Sequence, residues 1–150
     1  MVLRSIQWHI FVVAVALAAV TAIGAGADDA ADDAKLNAKQ ALVSARLVYM
    51  KDGSYQAVTA KSLKAKNPEL EFSEDGPSTR PALLSVKVLG PATIKIAVFG
   101  GGTCWGVREE GRRGGGVATL YAKRAGLARA CTATSFRDDE FREHAQVWGR

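Results

Sequence analysis

Cys104 follows three glycines in "GGGTCWG", and a thiol so placed could act as a nucleophile if a base stood beside it. His144 is the candidate base, but no third orienting group is evident and Cys104 sits in a strand-like pattern. Other groups with chemical reach are sparse. His9 lies inside an apolar run, His144 lies near the end of the sequence, and Cys104 and Cys131 are not at zinc-ligand spacing. Asp28, Asp29, Asp32 and Asp33 lack the central glycine of a calcium loop. Arg112 and Arg113 in "GRRGGG" could hold an anion, yet the glycines around them read as a hairpin loop, and no phosphate-loop motif is present. These residues predict no catalytic site, no metal, no cofactor and no small-molecule substrate.

A structural use for the cysteines is simpler. If the protein is exported, Cys104 and Cys131 read as one disulfide. Closing a loop of that length stabilises by roughly 3.5 kcal/mol on the chain-entropy model. Two unpaired buried thiols are the alternative.

Export is argued from the first 27 residues. From Ser5 to Ala27 there is no Asp, Glu, Lys or Arg. As a helix this stretch would be about 35 Å long at 1.5 Å per residue, against roughly 30 Å of bilayer hydrocarbon. Trp8 stands near its start, where aromatic residues meet lipid headgroups. The same residues fit a secretory leader, with Arg4 as its basic start and Ala25-Gly26-Ala27 as a small-x-small cleavage site. Residues 1–27 are thus expected to be a transmembrane anchor or a signal segment, with membrane lipid as a partner. On the first reading the protein is single-pass in the cytoplasmic membrane with its C-terminal domain outside; on the second it is secreted or at the cell surface.

Residues 28–150 are expected to form one globular domain. Residues 28–51 read as a helix rich in Ala, Lys, Leu, Gln and Arg, with no Gly or Pro. Leu36, Val43, Leu47 and Met50 share one face of it, while Ala34, Ala38, Ala41, Leu42, Ala45, Val48 and Tyr49 share another. A lone surface helix needs only one apolar stripe. Two faces suggest the protein's own core on one side and another chain, or a loop, on the other. Small residues also recur every fourth position at Ala14, Ala18, Ala22, Gly26, Ala30, Ala34 and Ala38, a spacing that lets helices approach closely. Chance in an alanine-rich segment is the rival explanation.

Asp52-Gly53 is a strong helix stop. A connecting region, 52–82, could hold a helical turn capped by Thr59 or Ser62 and limited by Pro68. Short strands follow at 83–89, 92–99, 103–109 and 117–123, the first two alternating, joined by Gly90-Pro91, Gly100-Gly101-Gly102 and "GRRGGG". The expected fold is α+β, a long N-terminal helix packed on a four-stranded antiparallel sheet (83–123) with one polar face. The tail, 124–150, is polar, with Phe136, Phe141 and Trp148 as anchors.

An apolar helix, an amphipathic continuation in "ALVSARLVYMKDGSYQA", four strands including "GTCWGV" and a late cysteine pair occur here in one order. This order resembles the type IV pilin and pseudopilin family. The resemblance implies that the helix packs its C-terminal half on the sheet and joins other pilin-like subunits through its N-terminal half. It further implies that Cys104 and Cys131 correspond to the late disulfide of many pilins. Ala14, Ala18, Ala22, Gly26, Leu36, Val43, Leu47 and Met50 are the candidate helix-packing residues. One departure matters: "MVLRSIQWHIFVV" has neither the Gly of a prepilin cleavage site nor the Glu that pairs with a neighbour's amine in filaments.

The expected function is therefore a non-enzymatic structural subunit of a type IV pilus or type II secretion-like assembly. A free secreted binding module released after Ala27 is the alternative. From Arg108 onward there are nine Lys or Arg against six Asp or Glu, not the dense basic stripe of a dedicated nucleic-acid binder. A DNA-binding role would have to use Arg108, Arg112, Arg113, Lys123 and Arg124.

Overall fold

In the computed structural model, the backbone is described for residues 5–112, 116–127, 129–143 and 148–149, and side chains from Gly26 onward. Helix α1 (Ser5–Asp52) runs without a break through Ala27. It ends where Gly53 takes a φ of +68° and donates its N–H to the Tyr49 carbonyl at 2.7 Å. That conformation costs glycine little because it has no Cβ. A 3-10 turn (Tyr55–Ala57) and a short helix α2 (Ala60–Lys64) follow. Thr59 caps α2, accepting from the Ser62 N–H while the Ser62 hydroxyl accepts from the Thr59 N–H.

The sheet has five strands in sequence order: β1 (Glu71–Ser73), β2 (Leu83–Gly90), β3 (Thr93–Gly100), β4 (Thr103–Gly111) and β5 (Val117–Ala125). β2 to β5 form an antiparallel meander, whereas β1 pairs with β2 in parallel. The expected four-stranded antiparallel sheet is thus corrected to a five-stranded mixed one. The strand that was missed, "EFS", is too short to show alternation and sits in what reads as a connection.

The expected polar face is also corrected. One face of the sheet (Leu84, Val86, Ile94, Ile96, Val98, Trp105 and Val107) buries against α1 through Ala34, Ala38, Ala41, Leu42, Ala45 and Val48. The other carries Ala97, Cys104 and Ala122, and the segment from Cys131 to Phe141 covers it with Ala133, Phe136 and Phe141. That cover also meets polar side chains of this face. Ser85 Oγ accepts from the Ala133 N–H at 3.0 Å, and Lys95 Nζ donates to the Phe136 carbonyl at 3.2 Å and to Asp138 at 2.6 Å. The same segment guards the free edge of β5, where Tyr121 and Arg142 exchange two backbone hydrogen bonds of 2.7 and 2.9 Å.

The expectation of a single-pass membrane protein is corrected as well. Among the described residues no helix is long and apolar enough to cross a membrane. The part of α1 whose side chains are described carries Asp28, Asp29, Asp32, Asp33, Lys35, Lys39, Arg46, Lys51 and Asp52. Each such charge would cost roughly 2.5–3.5 kcal/mol at a bilayer centre. Most of the segment on which the anchor was read, residues 1–25, lies outside the described side chains.

Candidate assembly surface

Helix α1 presents two contrasting faces because the sheet lies against only one of them. On the inward face Ala34, Ala38, Ala41 and Ala45 are fully buried. On the outward face Leu36, Val43, Leu47 and Met50 are 53, 55, 50 and 75% exposed, so half or more of each apolar side chain meets water. Ala34 and Ala38 belong to the four-residue series of small residues, and here the series has an intramolecular use. The β3–β4 turn drives its backbone into α1. A Cβ on Gly100 would lie 2.1 Å from the Ala30 carbonyl oxygen, and one on Gly101 would lie 2.4 Å from that of Ala27. Small residues on the helix and glycines in the turn are two halves of one close approach. Gly26 is exposed with nothing near it, and the side chains of Ala14, Ala18 and Ala22 are outside the described residues.

The outward face is held rigid by a buried polar latch. Glu109 on β4 is completely buried on the helix side of the sheet. Arg46 reaches it from α1, its Nε lying 3.1 and 3.2 Å from the two carboxylate oxygens, and its Nη2 also bonds Glu109 and Thr119. The hydroxyl of Tyr55, a buried residue just past the helix end, donates to the same carboxylate. Tyr55 stacks on Tyr49 with ring centroids 4.5 Å apart, and its N–H donates to the Pro91 carbonyl at 2.8 Å. Burial, and then the hydrogen bond to Glu109, push the Tyr55 phenol well above its ordinary value. The hydrogen bond to Glu109 likewise raises Arg46. A buried carboxylate with three side-chain partners fixes the rotation of α1 on the sheet, and hence which residues face outward.

The residues with possible chemistry are placed otherwise. Cys104 and Cys131 are joined in a disulfide, with Cα atoms 5.9 Å apart, and both are buried. Cys104 therefore presents no thiolate, and His144 lies outside the described residues. Among the described residues no group of three or more His, Cys, Asp or Glu could hold a metal ion. Of the candidate DNA-contacting cations, Arg108 pairs with Glu110 and Asp138, Arg112 with Glu143 and Arg124 with Glu140. Arg113 lies outside the described residues. A groove of about 260 Å³ runs between α1 and Trp148, lined by Asp32, Lys35, Leu36, Lys39, Trp148 and Gly149. That is at or below the lower end of the roughly 300–1,000 Å³ typical of small-molecule sites.

Two features escaped the sequence reading. One is the buried Glu109, which the alternation of Trp105, Val107 and Glu109 on one face of β4 could have signalled. Its partner Arg46 stands at the border between the two apolar faces of the helix. The cover over the second sheet face had a weaker signal, Phe136 and Phe141 in an otherwise polar tail. Compared with protein-family models, curated proteins and solved structures, the chain matches none.

Proposed function

We propose that this protein is a non-enzymatic structural subunit of a pilus-type or type II secretion-like assembly, packing against pilin-like subunits through the outward face of α1. One observation carries the reading: Leu36, Val43, Leu47 and Met50 form an exposed apolar stripe directly behind the face that α1 buries on its own sheet. A helix that is apolar on both sides buries the second side against something else. The rest of the molecule suits that role, since a disulfide, a buried latch and a covered second sheet face make a stiff head on a long rod. The order of elements that resembles pilins supports the same reading.

The test uses the full chain. Sedimentation should show association of the parent protein that weakens at least tenfold in Val43→Asp, which puts a charge in the middle of the stripe without touching the core. A parent chain that stays monomeric throughout would favour the binding-module alternative and end this reading.

A further inference from the structure

The two outer edges of the sheet are finished differently. β5 is guarded by its backbone exchange with Arg142. At the other edge β1 accompanies β2 only as far as Ser85, whereas β2 continues to Gly90. The Glu71 N–H donates to the Ala82 carbonyl at 2.7 Å, so alternation along the strand turns the backbone groups of Leu84, Val86 and Val88 to this same outer side. Past the end of β1, the Val86 carbonyl and both backbone groups of Val88 have no hydrogen-bond partner among the described residues. This stretch of edge lies in a cleft of about 240 Å³, with Val58 and Thr59 on one side and Glu74 and Asp75 on the other. The sides are fixed in place. Gly76 donates its N–H to Ser73 Oγ at 2.7 Å where the chain turns away from the sheet, and the Glu74 carboxylate accepts from the Ala60 N–H at 2.7 Å.

We propose that this cleft binds an extended peptide segment of another protein, which adds to the outer edge of β2 as a short strand and alternates apolar with basic residues. In such an addition the main-chain hydrogen bonds give affinity and alternate side chains give selectivity. The free edge supplies the first, through the unpaired groups of Val86 and Val88. Its surroundings supply the second. Val86 and Val88 turn their side chains to the helix side of the sheet, where Val58 is also buried, so every second residue of the peptide meets apolar surface. Lys87 points to the opposite face and is bonded to Asp75 at 3.0 Å. Glu74 is exposed beside it, so the cleft sets two carboxylates against one amine and favours a lysine or arginine on the peptide. The free stretch is short and recessed between its two sides, which suits a flexible segment rather than the edge of a second folded sheet. No residue of the cleft belongs to the exposed stripe of Leu36, Val43, Leu47 and Met50, so the site stands apart from the assembly reading.

The experiment is amide hydrogen exchange, read by NMR on the full chain, with a short capped peptide of alternating valine and lysine as the probe. At saturation the Val88 amide should exchange at least tenfold more slowly, while the Ser85 amide, already in the ladder with Ala97, should be unchanged. The same peptide N-methylated along its backbone keeps its side chains but loses its donors, and it should give no such slowing. Asp75→Lys alters a side chain that is 86% exposed, so the fold is spared. It should weaken the lysine peptide severalfold and favour a counterpart with glutamate in place of lysine. No slowing at Val88 with the peptide at millimolar concentration, or equal slowing by the N-methylated form, would overturn strand addition. A parent protein that prefers the glutamate peptide would overturn the basic partner.

Discussion

At the scale of single residues, the fold depends most on Glu109. Its carboxylate has no exposed surface and is shared by Arg46, Tyr55 and Thr119. Removing one partner of such a pair leaves the other uncompensated. Glu109→Ala is expected to lower unfolding stability by roughly 3 kcal/mol, because Arg46 regains water only in part and the Tyr55 hydroxyl is left buried without an acceptor. Arg46→Met should cost at least as much, since it strands the carboxylate itself. The double substitution Arg46→Met with Glu109→Leu should be more stable than Arg46→Met alone, because no unpaired charge then remains inside. Urea unfolding of the three variants measures this ordering. The pairing was half legible in the sequence. The alternation of Trp105, Val107 and Glu109 could have placed Glu109 inward, but the position of Arg46 on the helix border read equally well as a solvated charge.

At the scale of elements, two contacts carry the architecture, one on each face of the sheet. On the helix side, Gly100 and Gly101 let the β3–β4 turn touch α1 at Ala27, Ala30, Ala31 and Ala34. Gly100→Ala has no room for its methyl, and overpacking of this kind costs about 1–3 kcal/mol. The loss should appear as a lower thermal midpoint, whereas Gly90→Ala, where the added carbon meets nothing within 4 Å, should change it little. On the far side the C-terminal cover is held by Cys104–Cys131 and by ion pairs. Asp138 lies below its ordinary 3.8, first through its hydrogen bond from Lys95, and Glu140 below its ordinary 4.5, first through its bond from Arg124. With both folded values lowered, their contribution is fully present above the ordinary values and fades as pH falls through the lowered ones. Acidification below about pH 4 should therefore loosen residues 136–142 while the disulfide keeps Cys131 in place. An NMR titration of those amides against the strand amides reads this difference. The four long strands were readable because the first two alternate, with Leu84, Val86 and Val88 and then Ile94, Ile96 and Val98 on one side, and because glycine-rich turns bound the others. β1 and the cover were not, because three residues show no period and a tail with two phenylalanines looks like a loop until a sheet face needs covering.

At the scale of the whole molecule, the outward face of the long helix is the surface that matters. The inward face of α1 is accounted for by the sheet, and the small-residue series, where its side chains are described, by the β3–β4 turn. Among the described residues nothing covers the exposed apolar stripe, and the two-faced helix pattern in the sequence had suggested another chain or a loop there. Sequence reading failed on the membrane because the apolar run from Ser5 was weighed by itself. The described part of the same helix is densely charged. The most direct test of the central claim is a sedimentation series of the full chain over a wide concentration range, parent against Val43→Asp. Concentration-dependent association of the parent, lost in the variant at unchanged thermal stability, is the expected result. A parent that remains a monomer, or a variant that assembles as well as the parent, would contradict it.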